Sequence, residues 1–268
     1  NPDYLIETVS INSANLVQNG NFSELGSELV VNGDFETDSN WIKGTGWTIS
    51  GGKANCDGSQ SSQSNLYQTG IVPINKTYKV TFTIVVNVGS MVLAIGGSNA
   101  QPTVSSSGTY TFTSKATSGD SNLYFSASSD FVGSIDNVSV KQVDPNDNWA
   151  IQQPNGQVVE IVNNQLHVNY DATQTQGSTG VNQTFLTSGK KYKITVDVAE
   201  VTGTFRIQAG GQVQDINTTG ITTFIATVTS SILYIIRASN SNSTEFTLNS
   251  ISVIEIQENG VPRLDYTN

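Results

Sequence analysis

Apolar and polar residues alternate in short runs along the whole chain. Residues 79–86 begin with this alternation and then become fully apolar, as in a strand buried inside a β-sandwich. Residues 109–113 and 192–198 show the same period of two. Clusters of turn-forming residues, such as 105–108 and 240–243, separate the runs. Since no segment has the periodicity of an amphipathic helix, the pattern predicts an all-β protein.

A long internal repeat divides the chain. Tyr78 and Tyr192 lie in similar strand segments, and the double glycines at 96–97 and 210–211 keep the same spacing. The closing phrase Ile-Asp-Asn-Val-Ser-Val at 135–140 matches Leu-Asn-Ser-Ile-Ser-Val at 248–253. Many short strands in repeated units predict two tandem β-sandwich domains, with a jelly-roll topology. We place these domains at residues 28–143 and 144–256.

Two segments flank the predicted domains. Residues 1–27 contain, at 5–11, a run similar to the last strand of both repeats, which predicts the end of a preceding unit followed by a linker. In addition, Leu-Val-Gln-Asn-Gly-Asn-Phe at 16–22 duplicates Leu-Val-Val-Asn-Gly-Asp-Phe at 29–35. The alternative for both similarities is convergent β-strand sequence. Residues 257–268 lack strand periodicity and are predicted to form a tail or linker.

Composition and charge exclude several classes of function. The formal net charge is −10, whereas binding to nucleic acid requires clustered lysine and arginine. No apolar stretch approaches the ~18 residues of a transmembrane helix, so membrane insertion is not expected. Cys56 is the single cysteine, which excludes an internal disulfide.

No catalytic residues are predicted, and we expect the protein not to be an enzyme. His167 is the single histidine and lies in an alternating, strand-like run. The sequence has no Gly-x-Ser-x-Gly nucleophile motif. Nothing singles out a catalytic carboxylate pair among the 22 acidic residues.

The opening and closing segments of the first predicted domain carry a family resemblance. Asn-Gly-Asp-Phe-Glu at 32–36, Gly-Trp-Thr-Ile at 46–49 and the closing phrase at 135–140 resemble β-jelly-roll carbohydrate-binding modules of families 4, 9 and 22. The resemblance covers most of 28–143 and, more weakly, 144–256. The longer phrases at 43–49 and 131–140 are also similar to tail, fibre and other virion surface proteins of bacteriophages.

This resemblance implies a location and a set of partners. The location is the virion surface or the extracellular space. The expected partners are glycans, other virion proteins and copies of the same chain.

The resemblance also implies a structural calcium in the first domain, where such an ion joins the opening segment to the last strand. The matching carboxylates are Glu36 and Asp136, and carbonyl groups near Asp34 and Lys53 would complete the shell of oxygen ligands. The alternative is a solvated Glu36 and an Asp136 that caps a turn. Residues 144–256 contain no matching Asn-Gly-Asp-Phe-Glu opening and have Asn249 at the closing position, so no second ion is expected.

Four aromatic residues are candidates for stacking on sugar rings. They are Trp41, which lies among polar residues; Tyr67, which is flanked by Asn65 and Gln68; Trp149; and Tyr170. The alternative for each ring is burial in the core. In that case the two tryptophans, each preceded by asparagine, would plug equivalent ends of the two sandwiches.

Three functions are compatible with these observations. The first is a non-enzymatic virion surface protein from a phage tail, fibre or head appendage, with carbohydrate-binding-module-like domains that bind glycans. The second is a pair of carbohydrate-binding modules from a secreted polysaccharide-degrading enzyme. The third is a structural spacer whose aromatic residues are all buried.

Overall fold

The computed structural model describes residues 9–96, 99–117, 119–174 and 177–258. These residues form antiparallel β-strands and turns and contain no helix, which confirms the predicted all-β class with two β-sandwiches. No helix in the described ranges is long and apolar enough to cross a membrane. Most of the predicted tail lies outside these ranges.

Two compact units make up the structure. The first unit is Glu24–Pro145, and the second combines residues 9–23 with 146–258. The predicted N-terminal segment is therefore divided, with residues 9–23 in the second unit and 24–27 in the first.

The first unit consists of two facing sheets. Among the described residues, the strands up to Pro145 are β1 (Val9–Ile11), which belongs to the second unit, then β2 (Leu25–Glu28), β3 (Ile42–Lys43), β4 (Trp47–Ile49), β5 (Ala54–Asp57), β6 (Ser64–Gln68), β7 (Thr77–Val88), β8 (Met91–Ile95), β9 (Asn99–Ala100), β10 (Gly108–Lys115), β11 (Leu123–Ala127) and β12 (Val132–Val143). One sheet has the order β10-β7-β12-β5-β4, with β2 also paired to β12. The other has the order β3-β6-β11-β8-β9.

The second unit repeats this arrangement. Its remaining described strands are β13 (Ala150–Gln152), β14 (Val158–Val162), β15 (Gln165–Tyr170), β16 (Gly180–Thr184), β17 (Lys191–Thr202), β18 (Phe205–Ala209), β19 (Gln212–Ile216), β20 (Gly220–Thr227), β21 (Ile232–Arg237) and β22 (Thr244–Glu258). One sheet has the order β14-β15-β22-β17-β20, with β1 paired to β22, and the other has the order β13-β16-β21-β18-β19.

Side-chain alternation fills one core in each unit. In β7 every second residue from Tyr78 to Ile84 is buried, and β17 repeats the pattern from Tyr192 to Val198. Aromatic contacts join the two sheets of each unit: Phe82 packs edge-on against Phe125, and Phe205 stacks on Phe246. Full burial of one such side chain contributes roughly 1.5–3 kcal/mol, so these cores stabilise both units.

The segment at the start of each unit bonds to the last strand of that unit. We call it the opening segment, and it comprises residues 29–35 in the first unit and 16–22 in the second. The carbonyl of Gly33 accepts a hydrogen bond from the backbone of Val138, and the carbonyl of Gly20 accepts the equivalent bond from Ile251, each at 2.8 Å. A Cβ atom at either glycine would collide with the carbonyl oxygen of the partner residue, so this close approach requires glycine.

A tryptophan plug holds each opening segment against its core. The indole Nε1 of Trp41 donates to the carbonyl of Asn32 at 2.9 Å, and that of Trp149 donates to the carbonyl of Asn19 at 3.1 Å. Phe35 packs on Trp41 and Phe22 packs on Trp149, with ring centroids 5.1 and 5.5 Å apart. The second unit therefore has an opening segment, but that segment precedes the whole first unit in the chain.

Candidate functional site

A half-buried aromatic pair lies on the outer face of the five-stranded sheet of the first unit. Leu66 and Phe125 are buried, so their neighbours Tyr67 and Tyr124 point away from the core. The two tyrosines are cross-strand partners, and their rings stack with centroids 4.9 Å apart. Ile42, which is 45% exposed, pairs with Tyr67 from the edge strand β3. Together they form an apolar platform three strands wide.

A polar network fixes one ring of this platform. The hydroxyl of Tyr124 donates to Oδ2 of Asp120 at 2.5 Å, and Nδ2 of Asn122 donates to both of these oxygens. The hydrogen bond to Asp120 is the main cause that raises the pKa of Tyr124 above its ordinary value. The ring is held in one orientation, so it loses little freedom when a ligand stacks on it.

A groove of about 410 Å³ runs along the platform beside Tyr67. Ile42 and Tyr67 supply its apolar wall, while residues 60–65 supply hydroxyl and amide groups. Oδ1 of Asn65 is buried and has no hydrogen-bond donor among the described residues. Buried polar atoms in proteins are nearly always satisfied, so a donor from a water molecule or from a bound ligand would complete the bonding of this oxygen.

The loop that forms the groove is held rigidly. The amide of Gln60 donates to the carbonyls of Ser128 and Phe131 at 3.0 and 2.9 Å. Ser64 Oγ donates to the carbonyl of Thr45 at 2.7 Å, and the backbone of Gly44 donates to the carbonyl of Asn65 at the same distance. These bonds fix the polar wall before any ligand arrives.

The second unit has a different surface at the corresponding face. Tyr234 occupies the position of Tyr124, but its cross-strand partner is Asn182 in place of a second ring. Arg206 makes a two-pronged ion pair with Asp215, at 2.6 and 2.9 Å. The hydrogen bond to the guanidinium lowers the pKa of Asp215 below its usual value. This face offers one ring and a closed ion pair, not an aromatic platform.

Three of the four predicted sugar-binding rings lie in the cores. Trp41 is 6% exposed, Trp149 3% and Tyr170 0%. The two tryptophans are the plugs of the opening segments, and the hydroxyl of Tyr170 donates to the carbonyl of Asn240 at 2.9 Å. None of the three presents a ring face to a ligand, because packing inside the sandwich covers them. Tyr67 alone among the four is at the surface.

The four residues predicted to bind calcium lie on three neighbouring segments of the first unit. A Cβ atom at Gly52 would lie 3.6 Å from Oε1 of Glu36 and 3.9 Å from the carbonyl oxygen of Asp34. Ala54 pairs with Ile135 at the end of the ladder between β5 and β12, and Lys53 and Asp136 are the next residues along the backbone there. The opening segment, the turn before β5 and the last strand therefore meet at one junction.

A β-bulge follows Asp136 in the last strand of the first unit. The register between β12 and β7 shifts after Asp136, and the following Asn137 has a φ of +52°. Oδ1 of Asp136 accepts the backbone N–H of Asn137 at 2.6 Å, which leaves Oδ2 for another partner. No group of three or more histidine, cysteine or acidic side chains forms a metal cluster within the described ranges. Carbonyl oxygens and water would have to supply most of the ligands.

The same junction in the second unit is closed by amides. Asn249 occupies the position of Asp136, and its Oδ1 accepts a hydrogen bond from Nε2 of Gln165 at 2.7 Å. Ser23 follows the second opening segment where Glu36 follows the first. A direct hydrogen bond thus spans the gap that carboxylates border in the first unit.

The comparisons with known proteins found no matching family model and no matching curated protein. Similar solved structures include the N-terminal CBM22-1–CBM22-2 tandem domain of Paenibacillus barcinonensis Xyn10C, with 11% identity over 87% of this chain and 98% of that chain, at a TM-score of 0.34. The enzymatically active domain of bacteriophage CBA120 tailspike protein 4 is 18% identical over 43% of this chain and 21% of that chain, with a TM-score of 0.32. A fucolectin from striped bass (Morone saxatilis) serum is 10% identical over 92% and 95% of the two chains, with a TM-score of 0.27. At these scores we infer neither a family nor a ligand from the similarity.

Proposed function

We propose that the protein is a non-enzymatic glycan-binding protein and that the platform and groove of the first unit form its binding site. Flat aromatic rings suit the apolar face of a sugar ring, and neighbouring amides and hydroxyls suit its hydroxyl groups. Tyr67, Tyr124 and Asn65 supply both kinds of contact on one rigid surface.

The buried, unpartnered Oδ1 of Asn65 is the observation that carries this proposal. An unsatisfied buried acceptor costs about 1–3 kcal/mol. A sugar ring that stacks on Tyr67 would place a hydroxyl group beside this oxygen. That hydroxyl would donate a hydrogen bond to it and remove the cost. The ligand class is therefore one that is rich in hydroxyl groups and has an apolar face.

We further propose the virion surface of a bacteriophage as the setting, on the strength of the resemblance of the phrases at 43–49 and 131–140 to those of phage appendage proteins. The main alternative setting is a secreted polysaccharide-degrading enzyme. The coding sequence next to this segment distinguishes the two: virion genes are expected for the first and a catalytic domain for the second.

A glycan array followed by calorimetric titration with the strongest hits tests the binding. Tyr124→Ala and Asn65→Ala should each weaken binding at least tenfold, while the matched Tyr234→Ala in the second unit should leave it unchanged. Circular dichroism and thermal melting verify that each variant is folded. If the intact protein binds no glycan on the array, the spacer function replaces this proposal.

We also propose that a structural calcium ion occupies the junction of the first unit, held by Glu36, Asp136 and backbone carbonyls near Asp34 and Lys53. A bound Ca²⁺ would supply a hard positive charge that ties the opening segment to the last strand. The 3.6 Å and 3.9 Å approaches of Glu36 and Asp34 to the Gly52 position support this assignment. Titration with Ca²⁺ should give one site per chain, lost in Glu36→Gln. Two sites, or one that survives this change, would contradict it.

A further inference from the structure

Two isoleucines are exposed on an edge strand of the second unit. In the described residues, β20 is the last strand of its sheet and pairs only with β17. Ile221 is 75% exposed and Ile225 is 58% exposed, and both point to the outer face. An edge strand with free backbone groups and apolar side chains favours pairing with another strand, and proteins usually protect such edges with polar or charged residues.

The first unit shows that the sandwich does not require these isoleucines. Its equivalent edge strand β10 carries Thr109 and Thr113 at the same positions. A hydroxyl–hydroxyl hydrogen bond anchors the register in both units, between Thr111 and Thr81 and between Thr223 and Thr195, each at 3.1 Å. On the outer face, the second unit therefore differs from the first in the residues two positions before and two positions after this threonine. Both differences add apolar surface.

We infer that β20 pairs with β20 of a second copy of the chain, antiparallel and centred on Thr223. The outer-face residues read Ile-Thr-Ile in both directions from that centre. A two-fold axis there would place Ile221 of one copy opposite Ile225 of the other, on both sides of the axis. Such self-complementarity is what a two-fold interface requires, and a different partner would have no need of it.

The charges on the neighbouring strand fit the same arrangement. Lys193 lies beside Ile225 and Asp197 lies beside Ile221 in the register of β17 and β20. In the paired dimer, four cross-strand neighbours lie in a row across the interface. They are Lys193 and Ile225 of one copy, followed by Ile221 and Asp197 of the other. Unlike charges thus occur at the two ends of each row, whereas a parallel pairing would place like charges there.

Sedimentation of the full chain over a wide concentration range tests the interface. The wild type should show a monomer–dimer equilibrium. Ile221→Thr combined with Ile225→Thr, which restores the residues of the first unit, should raise the dissociation constant at least tenfold. Ile74→Thr, at a residue 48% exposed in the first unit, is the control and should have no effect. A monomeric wild type, an open series of oligomers or a dimer unaffected by the double change would each overturn the inference.

Cysteine cross-linking tests the register. Thr223→Cys should form a disulfide-linked dimer under mild oxidation, because its two copies face each other at the axis. Thr111→Cys, at the matched position of the first unit, is the control. Ile221→Cys and Ile225→Cys should cross-link when the two proteins are mixed and less when either is alone. The native Cys56 is 2% exposed and should not interfere. Equal cross-linking at positions 223 and 111 would contradict pairing through β20.

Discussion

The two units share their buried contacts and differ on their surfaces. Both use a tryptophan plug and a glycine pressed against the last strand, with nearly the same distances. They differ at three places: the junction that contains Glu36 in the first unit, the outer face that holds Tyr67 there, and the edge strand, which is β10 in the first unit and β20 in the second. The repeat therefore preserves what closes the sandwich, and its exposed positions are where separate functions are expected.

The largest effect should come from removing a plug. Trp41→Ala and Trp149→Ala each delete a buried ring and the hydrogen bond of its Nε1, so each should destabilise its own unit by about 3–5 kcal/mol. Denaturant unfolding followed by scanning calorimetry measures the loss. If only one of the two changes were costly, the equivalence of the plugs would be incorrect.

Calcium should stabilise one unit and not the other, and the difference in unfolding free energy should be smaller than the loss caused by removing a plug. At a concentration of 100 times the dissociation constant, a ligand stabilises the folded state by about 2.7 kcal/mol. The first unit should gain this stabilisation and the second should not, because the hydrogen bond from Gln165 to Asn249 closes its junction. Calorimetric melting with calcium and with chelator measures the shift of each transition. Equal shifts in both, or a shift that persists in Asp136→Asn, would refute the difference.

Removing one glutamine side chain in each unit should reduce the free energy of unfolding by a similar amount in both units, and by less than removing a plug. Gln68 accepts from the backbone N–H of Val31 and donates to its carbonyl, and Gln183 does the same for Gln18. Changing either glutamine to alanine leaves two backbone groups unpaired and should cost about 1–3 kcal/mol. Urea unfolding of both variants gives the comparison, and a loss in one unit only would show that the repeat is not equivalent here.

High pH should destabilise the first unit through one buried tyrosine. Burial raises the pKa of Tyr78 to about 12, and its hydroxyl donates to the carbonyl of Pro73. The folded state thus holds this proton more tightly than the unfolded state, whose pKa is 10.0. The stabilisation is complete below pH 10 and is lost as the pH rises towards about 12.

Tyr78→Phe should flatten this loss of stability. Wild-type protein measured under the same conditions is the control. Unfolding measured between pH 9 and 12 tests the difference. An unchanged pH profile in Tyr78→Phe would assign the alkaline loss to another group.

The smallest effect should come from restoring one carboxylate. Asn249→Asp recreates the closing residue of the first unit, but Ser23 still stands where Glu36 stands in the first unit. A single added carboxylate should therefore produce no calcium response in the second unit. Calorimetric titration measures this, and binding at a second site would show that one carboxylate suffices.

The sequence was informative about strands because alternation directly reflects burial on one face of a sheet. The buried residues of β7 and β17 follow the predicted period of two. The duplicated phrase at 16–22 was also visible. Its role was not, because local pattern does not state which later segment a strand will join. The predicted second domain, residues 144–256, therefore omits its opening segment, which lies before the first unit.

The candidate site was only partly predictable for a similar reason. Polar neighbours in the sequence indicate an exposed ring at Tyr67, and they indicate the same at Trp41, whose ring is a buried plug. What separates them is the cross-strand pairing of Tyr67 with Tyr124 and the orphan oxygen of Asn65. These relations exist only once the register of β6 and β11 is fixed.

The divided second unit has a consequence for synthesis on the ribosome. Asn19 emerges early, yet the indole that binds it follows 130 residues later. Another residue of this early segment, Asn15, waits longer for its partner. Its side chain accepts a hydrogen bond from the backbone N–H of Val253, 238 residues downstream. The first unit can fold while this early segment waits without a partner, and the second unit becomes complete only when β22 has been made. Such distant contacts slow folding, so the first unit is expected to mature well before the second.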